Sequence, residues 1–256
     1  MNNDQLLEIT TEIGWGRLLQ RGAEIYRVEE SIKRMLAAYG FAEVDVFSIP
    51  SCILVTINDE NGHALTRIKR NRSSSLDFDR IDKLNNLCRH VCTERPPLEQ
   101  IRASLDAIMG KKDYSFWTRL FFTASISASF TLFYGGNFQD SFASFFIGIL
   151  LFLLLSLLGN FGTNSFFQNI FGSALVAGLS VWTTAMGWTV NYDKMIIGTL
   201  MNLVPGIAIT NVMRDILGGD LIAGIIKLVE SLMVAVGIAL GAGLAISTLR
   251  YFFPGI

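Results

Sequence analysis

A set of amide and charged side chains stands in one apolar stretch near the C-terminal end of the chain, NLVPGIAITNVMRDILGGDLIAGIIKLVE, from Asn202 to Glu230. The set comprises Asn202, Asn211, Arg214, Asp215, Asp220, Lys227 and Glu230, and a Pro205-Gly206 pair interrupts the helical pattern. Such groups are costly in hydrocarbon and are kept there where they face a cavity, a pathway or each other. A proline-glycine break frees backbone carbonyls, and Asn202, one turn earlier, is placed to satisfy them. Helices broken at this depth build transporter binding sites; the plainer reading is a packing kink. Arg214 and Asp215 fall where an apolar segment ends and read as interface anchors or as a binding pair. Glu230 lies ten residues beyond Asp220, about 15 Å along a helix, and is expected deepest. Lys227 is three residues earlier on the same face. Either the two neutralise each other, or Glu230 carries a coupling proton while Lys227 or Arg214 attracts a substrate carboxylate.

A second charged motif, RGAEIYRVEESIKR from Arg21 to Arg34, precedes all of this. Glu24 with Arg27, and Glu30 with Arg34, are at helical pairing distance. They make either a solvated face or a docking surface for the apolar part or for a partner. Other chemistry is scarce. The two histidines, His63 and His90, sit in no nucleophile or metal motif, and Cys88 and Cys92 lack a second ligand pair, so no metal is expected. Gly218-Gly219-Asp220 lacks the lysine and hydroxyl of a phosphate loop, so neither a nucleotide nor any other cofactor is expected. A near-neutral charge balance gives no nucleic-acid footprint.

The elements that position these residues divide the chain. Of its 43 charged residues, 33 lie in the first 115 positions, and none lies between Asp140 and Asp193. That shift predicts a water-facing domain over 1–112 and a transmembrane domain over 113–256. In the first, helices are expected over 4–21, about 25–39, 77–92 and 98–109. Strand-like segments cover 44–49, 52–57 and 64–69, the last two joined by a turn at 58–62. This is a small α+β domain with its own core. Five apolar stretches follow, at about 117–134, 141–158, 169–188, 195–213 and 221–248, each near or above the ~20 residues that cross a bilayer. The uncharged Gly159–Asn164 segment between the second and third is either a turn or a re-entrant polar loop.

Lys111, Lys112 and Arg119 flank the first span and the next loop has no basic residue, which assigns the N-terminal domain to the cytoplasm. The start MNNDQLLEITTEIG lacks the features of a secretory signal, so no cleavage is expected. An odd number of spans without internal duplication suggests part of a larger assembly, a homo-oligomer included.

Two motifs resemble the threonine/serine exporter family, and in particular its short, two-subunit (YjjP-type) version. One is RGAEIYRVEESIKRMLAAYGF with the following VDVFSIPSCILVTI; the other is LVPGIAITNVMRDILGGDLIAGIIKLVES. The resemblance implies an α-helical membrane protein of the bacterial cytoplasmic membrane with a cytoplasmic N-terminal domain. It implies export of a small carboxylate, succinate or threonine and serine, together with a second, smaller membrane subunit. By matching positions it points to Glu24, Arg27 and Glu29, and to Pro205, Gly206, Asn211, Arg214, Asp215, Asp220 and Glu230. Without a nucleotide motif, the proton gradient is the expected driving force. Two other readings carry less: a membrane-anchored sensor or scaffold whose soluble domain binds a cytoplasmic partner, and a hydrolytic soluble domain.

Overall fold

The computed structural model describes residues 3–19, 25–58, 62–71 and 77–252. Within them ten helices and one three-stranded sheet form two compact units, one of residues 1–112 with 206–229, the other of 113–205 with 230–256.

The first unit opens with α1 (Asn3–Leu19) and α2 (Ile25–Ala38), followed by β1 (Val44–Ile49), β2 (Cys52–Asn58) and β3 (Ala64–Arg70), then α3 (Phe78–Glu94) and α4 (Leu98–Met109). The strands form an antiparallel meander with β2 central, Val46 opposite Val55 and Thr56 opposite Thr66. Alternation along β2 turns Ile53, Val55 and Ile57 into the core, while Leu54 and Thr56 are only half-buried. One covered and one open face is the usual economy of a small antiparallel sheet. On the covered face lie Leu6, Ile9 and Ile13 of α1 and Val28, Ile32 and Met35 of α2, spaced as the sequence predicts. A Cβ at Gly14 would collide with the Ile32 side chain, so that glycine sets how closely α1 and α2 cross. The Asp77 carboxylate caps α3 by accepting from the Arg80 amide at 3.1 Å. Each strand and the last two helices fall within two residues of the predicted bounds; residues 59–61 of the expected turn lie outside the described residues.

The second unit is helical: α5 (Phe116–Phe133), α6 (Phe138–Asn160), α7 (Ser165–Ala185) and α8 (Tyr192–Leu200). Two further helices, α9 (Gly206–Leu217) and α10 (Leu221–Phe252), follow it in the chain. α9 and α10 up to Val229 belong to the first unit, and α10 from Glu230 to the second. Among the described residues, α6 and α10 are long and apolar enough to cross a membrane, with mean hydropathies of 2.6 and 2.2. The segment expected as a single fourth span, 195–213, is two helices separated at residues 201–205.

Small and hydroxylated residues share the interior of the second unit with an aliphatic cluster that includes Ile147, Leu151, Val176 and Met195. Ser127, Thr131, Ser144, Ser180 and Thr199 are buried, and Thr131 donates to Ser144 Oγ at 2.8 Å between α5 and α6. A Cβ on Gly148 would strike Ser127, and one on Gly198 would strike the Thr131 backbone. Close helix contact through small residues is how helices associate where apolar burial gives little drive. Many phenylalanines point outward: Phe121, Phe122, Phe142 and Phe146 are exposed.

Candidate functional site

α9 leads into α10 through Gly218-Gly219-Asp220, and local chemistry explains that turn. Gly219 has φ +95°, a conformation side chains rarely adopt. Its N–H donates to the Ile216 carbonyl at 3.2 Å and the Asp220 N–H to the Asp215 carbonyl at 2.9 Å, the paired bonds of a Schellman C-cap. The Gly224 N–H donates to the Asp220 carbonyl at 2.9 Å, so the chain turns from one helix directly into the next.

This turn brings the charges of the apolar stretch together. Asp215 is fully buried and Lys227 nearly so, with Lys227 Nζ 2.5 Å from Asp215 Oδ2. Spacing sets Lys227 beside Glu230, but the buried carboxylate that holds it lies twelve positions earlier. The other Asp215 oxygen, Oδ1, accepts from the Ile25 N–H at 3.4 Å, at the first residue of α2. The next amide, of Tyr26, donates to Asp220. The first amides of a helix have no intrahelical acceptor and carry the positive end of its dipole, so two carboxylates here serve both needs.

Glu29, one turn further along α2, accepts from the Ser48 N–H at 2.8 Å and from Ser48 Oγ at 2.9 Å, which fixes α2 to the end of β1. Burial pushes its carboxyl above the ordinary range, and the Asp220 charge adds to this against the pull of Ser48 and Lys33. Burial likewise raises Asp220, helped by Asp215 and opposed by Lys227 and the Tyr26 amide. Asp220 Oδ2 is buried and, among the described residues, accepts no hydrogen bond. Asp215 and Asp220 thus share the buried Lys227 cation, while Glu29 feels the Asp220 charge and the opposing pull of Lys33. Burial disfavours the charged form of both Asp220 and Glu29.

The soluble motif and the apolar motif, read separately in the sequence, thus meet within the first unit. Arg27 is exposed, stacked on the Tyr26 ring at 5.8 Å and bonded to its hydroxyl at 3.1 Å. Arg34 pairs with Glu30 at 2.6 Å on the surface, a contact worth little. Glu24 lies outside the described residues. Asn211 is buried, and Arg214 and Gly206 are exposed. Glu230, on α10 in the second unit, is exposed in the single chain.

Asn202 and Pro205 belong to the second unit, where the helix break is a full stop. After Leu200, the Leu203 and Val204 amides both donate back to the Leu200 carbonyl, and Pro205 has no amide to continue the helix. Asn202 Nδ2 donates to the Thr199 carbonyl at 3.1 Å, the role its spacing suggests, and also to Ser127 Oγ on α5 at 2.9 Å. One polar residue escaped the sequence reading. Asp140 is fully buried and accepts from the Asn137 and Val190 amides and from Asn191 Nδ2 at 2.8–2.9 Å, clamping the start of α6 to the α7–α8 connection. The Asn137-x-x-Asp140 spacing of a capping box was its visible signal.

Among the described residues, no group of three or more histidine, cysteine, aspartate or glutamate side chains could hold a metal. Compared with known proteins, the chain matches the threonine/serine exporter (ThrE) family model over residues 9–249, which takes in both units. It is 22% identical over 236 residues to a threonine/serine exporter of Corynebacterium glutamicum, covering 90% of this chain and 48% of that protein. The chain therefore spans about half the length of this curated relative. No solved structure matches it.

Proposed function

Because the chain belongs to the threonine/serine exporter family, we propose that it is one subunit of a secondary exporter that carries a small carboxylate metabolite out of the cytoplasm. The observation that carries this reading is the family match across nearly the whole chain. Its proposed partner is a second, smaller membrane subunit of the same family. Threonine, serine and succinate are the substrates to try first, with the N-terminal domain on the cytoplasmic side of a bacterial inner membrane and about five spans, the fourth of them broken at residues 201–205. The proton gradient is the driving force that fits carboxylates whose proton affinity burial raises, as it does for Glu29 and Asp220. Glu230 is the group proposed to take the coupling proton within the membrane.

The test is efflux of labelled threonine, serine and succinate from a deletion strain complemented with the chain, its neighbouring small membrane protein, or both. Export restored only by the pair supports the proposal; equal efflux of all three metabolites in every strain rejects it.

One observation favours a second reading, that of a sensor. A cleft of about 760 Å³ between α2 and α3 is edged by Arg27, Arg34, Arg89 and Arg95, against the single acid Glu30. Such a surface suits an acidic cytoplasmic partner. Loss of that partner's co-purification on charge reversal of Arg89 and Arg95, with efflux unchanged, would favour it.

A further inference from the structure

We propose that Arg119 is the carboxylate-binding residue of a cavity at one end of the helical unit, and that this cavity receives the substrate from the cytoplasm; the inference rests on the export reading. The cavity has a volume of about 640 Å³, within the range of small-molecule sites. It is lined by the first turns of α5 and α7 and by the last turns of α6, together with Asn202 beyond α8. Short connections make successive helices run in opposite directions, so these ends lie together. It holds the start of α5, the helix that follows Lys111 and Lys112 in the sequence and that these basic residues assign to the cytoplasmic side. An exporter needs its receiving mouth there.

The chemistry of the lining is selective. Arg119 supplies the one charge, surrounded by Ser156, Asn160, Gln168 and Asn202 over a floor of phenylalanine rings. Its guanidinium lies 5.7 Å over the Phe152 ring, which supports the flat face and leaves the in-plane N–H fork for a planar anion. Among the described residues no carboxylate pairs with it. Asn202 spends its amide hydrogens on Ser127 and Thr199, so its Oδ1 is left as an acceptor. Gln168 donates to the Thr163 carbonyl at 2.7 Å. One fork and several neutral amides match a ligand with a single carboxylate and a hydrogen-bonding remainder. A second carboxylate would meet no cation here. The uncharged segment between α6 and α7 and the break after α8 thereby acquire a common purpose, since Asn160 and Asn202 come from those two interruptions.

The test uses the full chain with its partner subunit in phosphatidylcholine proteoliposomes, with labelled threonine, serine and succinate as probes for both binding and flux. Arg119→Gln should weaken binding roughly tenfold to a hundredfold, the scale of a lost charged hydrogen bond. Arg119→Lys should lie between the two. The amide analogue of threonine, lacking the carboxylate, should fail to compete with wild type, and succinate should gain nothing from its second carboxylate. A merely anchoring arginine would not make binding depend on the competitor's carboxylate. Wild type that exports while Arg119→Gln binds and exports equally overturns the site and leaves the export reading standing. A wild-type pair with neither binding nor flux overturns both. Phosphatidylglycerol that displaces every probe through Arg119 overturns the site as well, since a lipid phosphate is then its ligand.

Discussion

The Asp215–Lys227 pair is the most heavily committed polar contact of the first unit, because neither group has water to fall back on. Removing one member of such a pair strands the other, at about 3–5 kcal/mol, whereas replacing both with apolar groups of similar size is often neutral. Lys227→Met should therefore lower the thermal midpoint of the purified chain sharply, and Asp215→Leu combined with Lys227→Met should recover much of it. A double variant no better than the single would mean that Asp215 matters more for the Ile25 amide at the start of α2 than for Lys227. Glu29 gives a pH dependence with a defined sign. Its folded-state pKa lies above the ordinary value of 4.5, so above that value the folded chain holds more proton than the unfolded one. The stability this contributes is complete below pH 4.5 and is lost as pH rises through the raised value. Glu29→Gln keeps the acceptor for Ser48 and removes the charge. The difference in midpoint between Glu29→Gln and wild type should grow as pH rises from 4.5 towards neutrality, and a difference that stays flat would refute the burial argument.

At the scale of elements, glycines on α10 provide a matched pair. A Cβ on Gly241 would meet the Ile170 carbonyl oxygen and Ser173 Oγ on α7, while one on Gly243 would meet nothing within 4 Å. Gly241→Ala should cost about 1–3 kcal/mol, since a backbone carbonyl cannot step aside. Gly243→Ala should be neutral or better by up to about 1 kcal/mol through helix propensity. Equal thermal midpoints for the two would contradict the α7–α10 contact. The strands and the helices α2 and α3 were legible in the sequence, because each is a local period. Asp215 with Lys227 was not. Their meeting depends on the Gly219 turn, which carries one helix face back against another, and a helical period says nothing across a turn. The Pro205 interruption was visible, but its extent was not: a kink and a five-residue gap share one sequence signal, and the bonds of Asn202 and the Leu200 carbonyl decide between them. Arg119 counted in the sequence only as a basic flank, since a cavity wall drawn from helix ends far apart in the chain has no linear signature.

For the whole molecule the difficulty is what its surface faces. Leu228, Val229, Leu232, Met233 and Val236 on α10 are exposed in the single chain, as are Phe121, Phe122 and Phe142 on α5 and α6. Lipid covers such a surface well, but Glu230 stands exposed among the α10 residues, and a carboxylate facing lipid is costly unless protonated or covered by another polar group. The proposed second subunit would supply that cover. On the proposed export reading, a polar surface of that subunit would cover Glu230, and the contact is where the proposed coupling step would lie. It follows that the chain alone in proteoliposomes should show little flux, and that the pair should release a labelled carboxylate faster when the medium on the far side is acidified. Glu230→Gln mimics the protonated state permanently. It should assemble with the partner and bind substrate normally, yet its efflux should no longer respond to the imposed pH gradient. Arg119→Gln should show the opposite pattern, weak binding with the remaining flux still gradient-dependent. A Glu230→Gln pair whose efflux follows the gradient as wild type does would remove Glu230 from the coupling step, and Asp220 with Glu29 would be the carboxylates to change next.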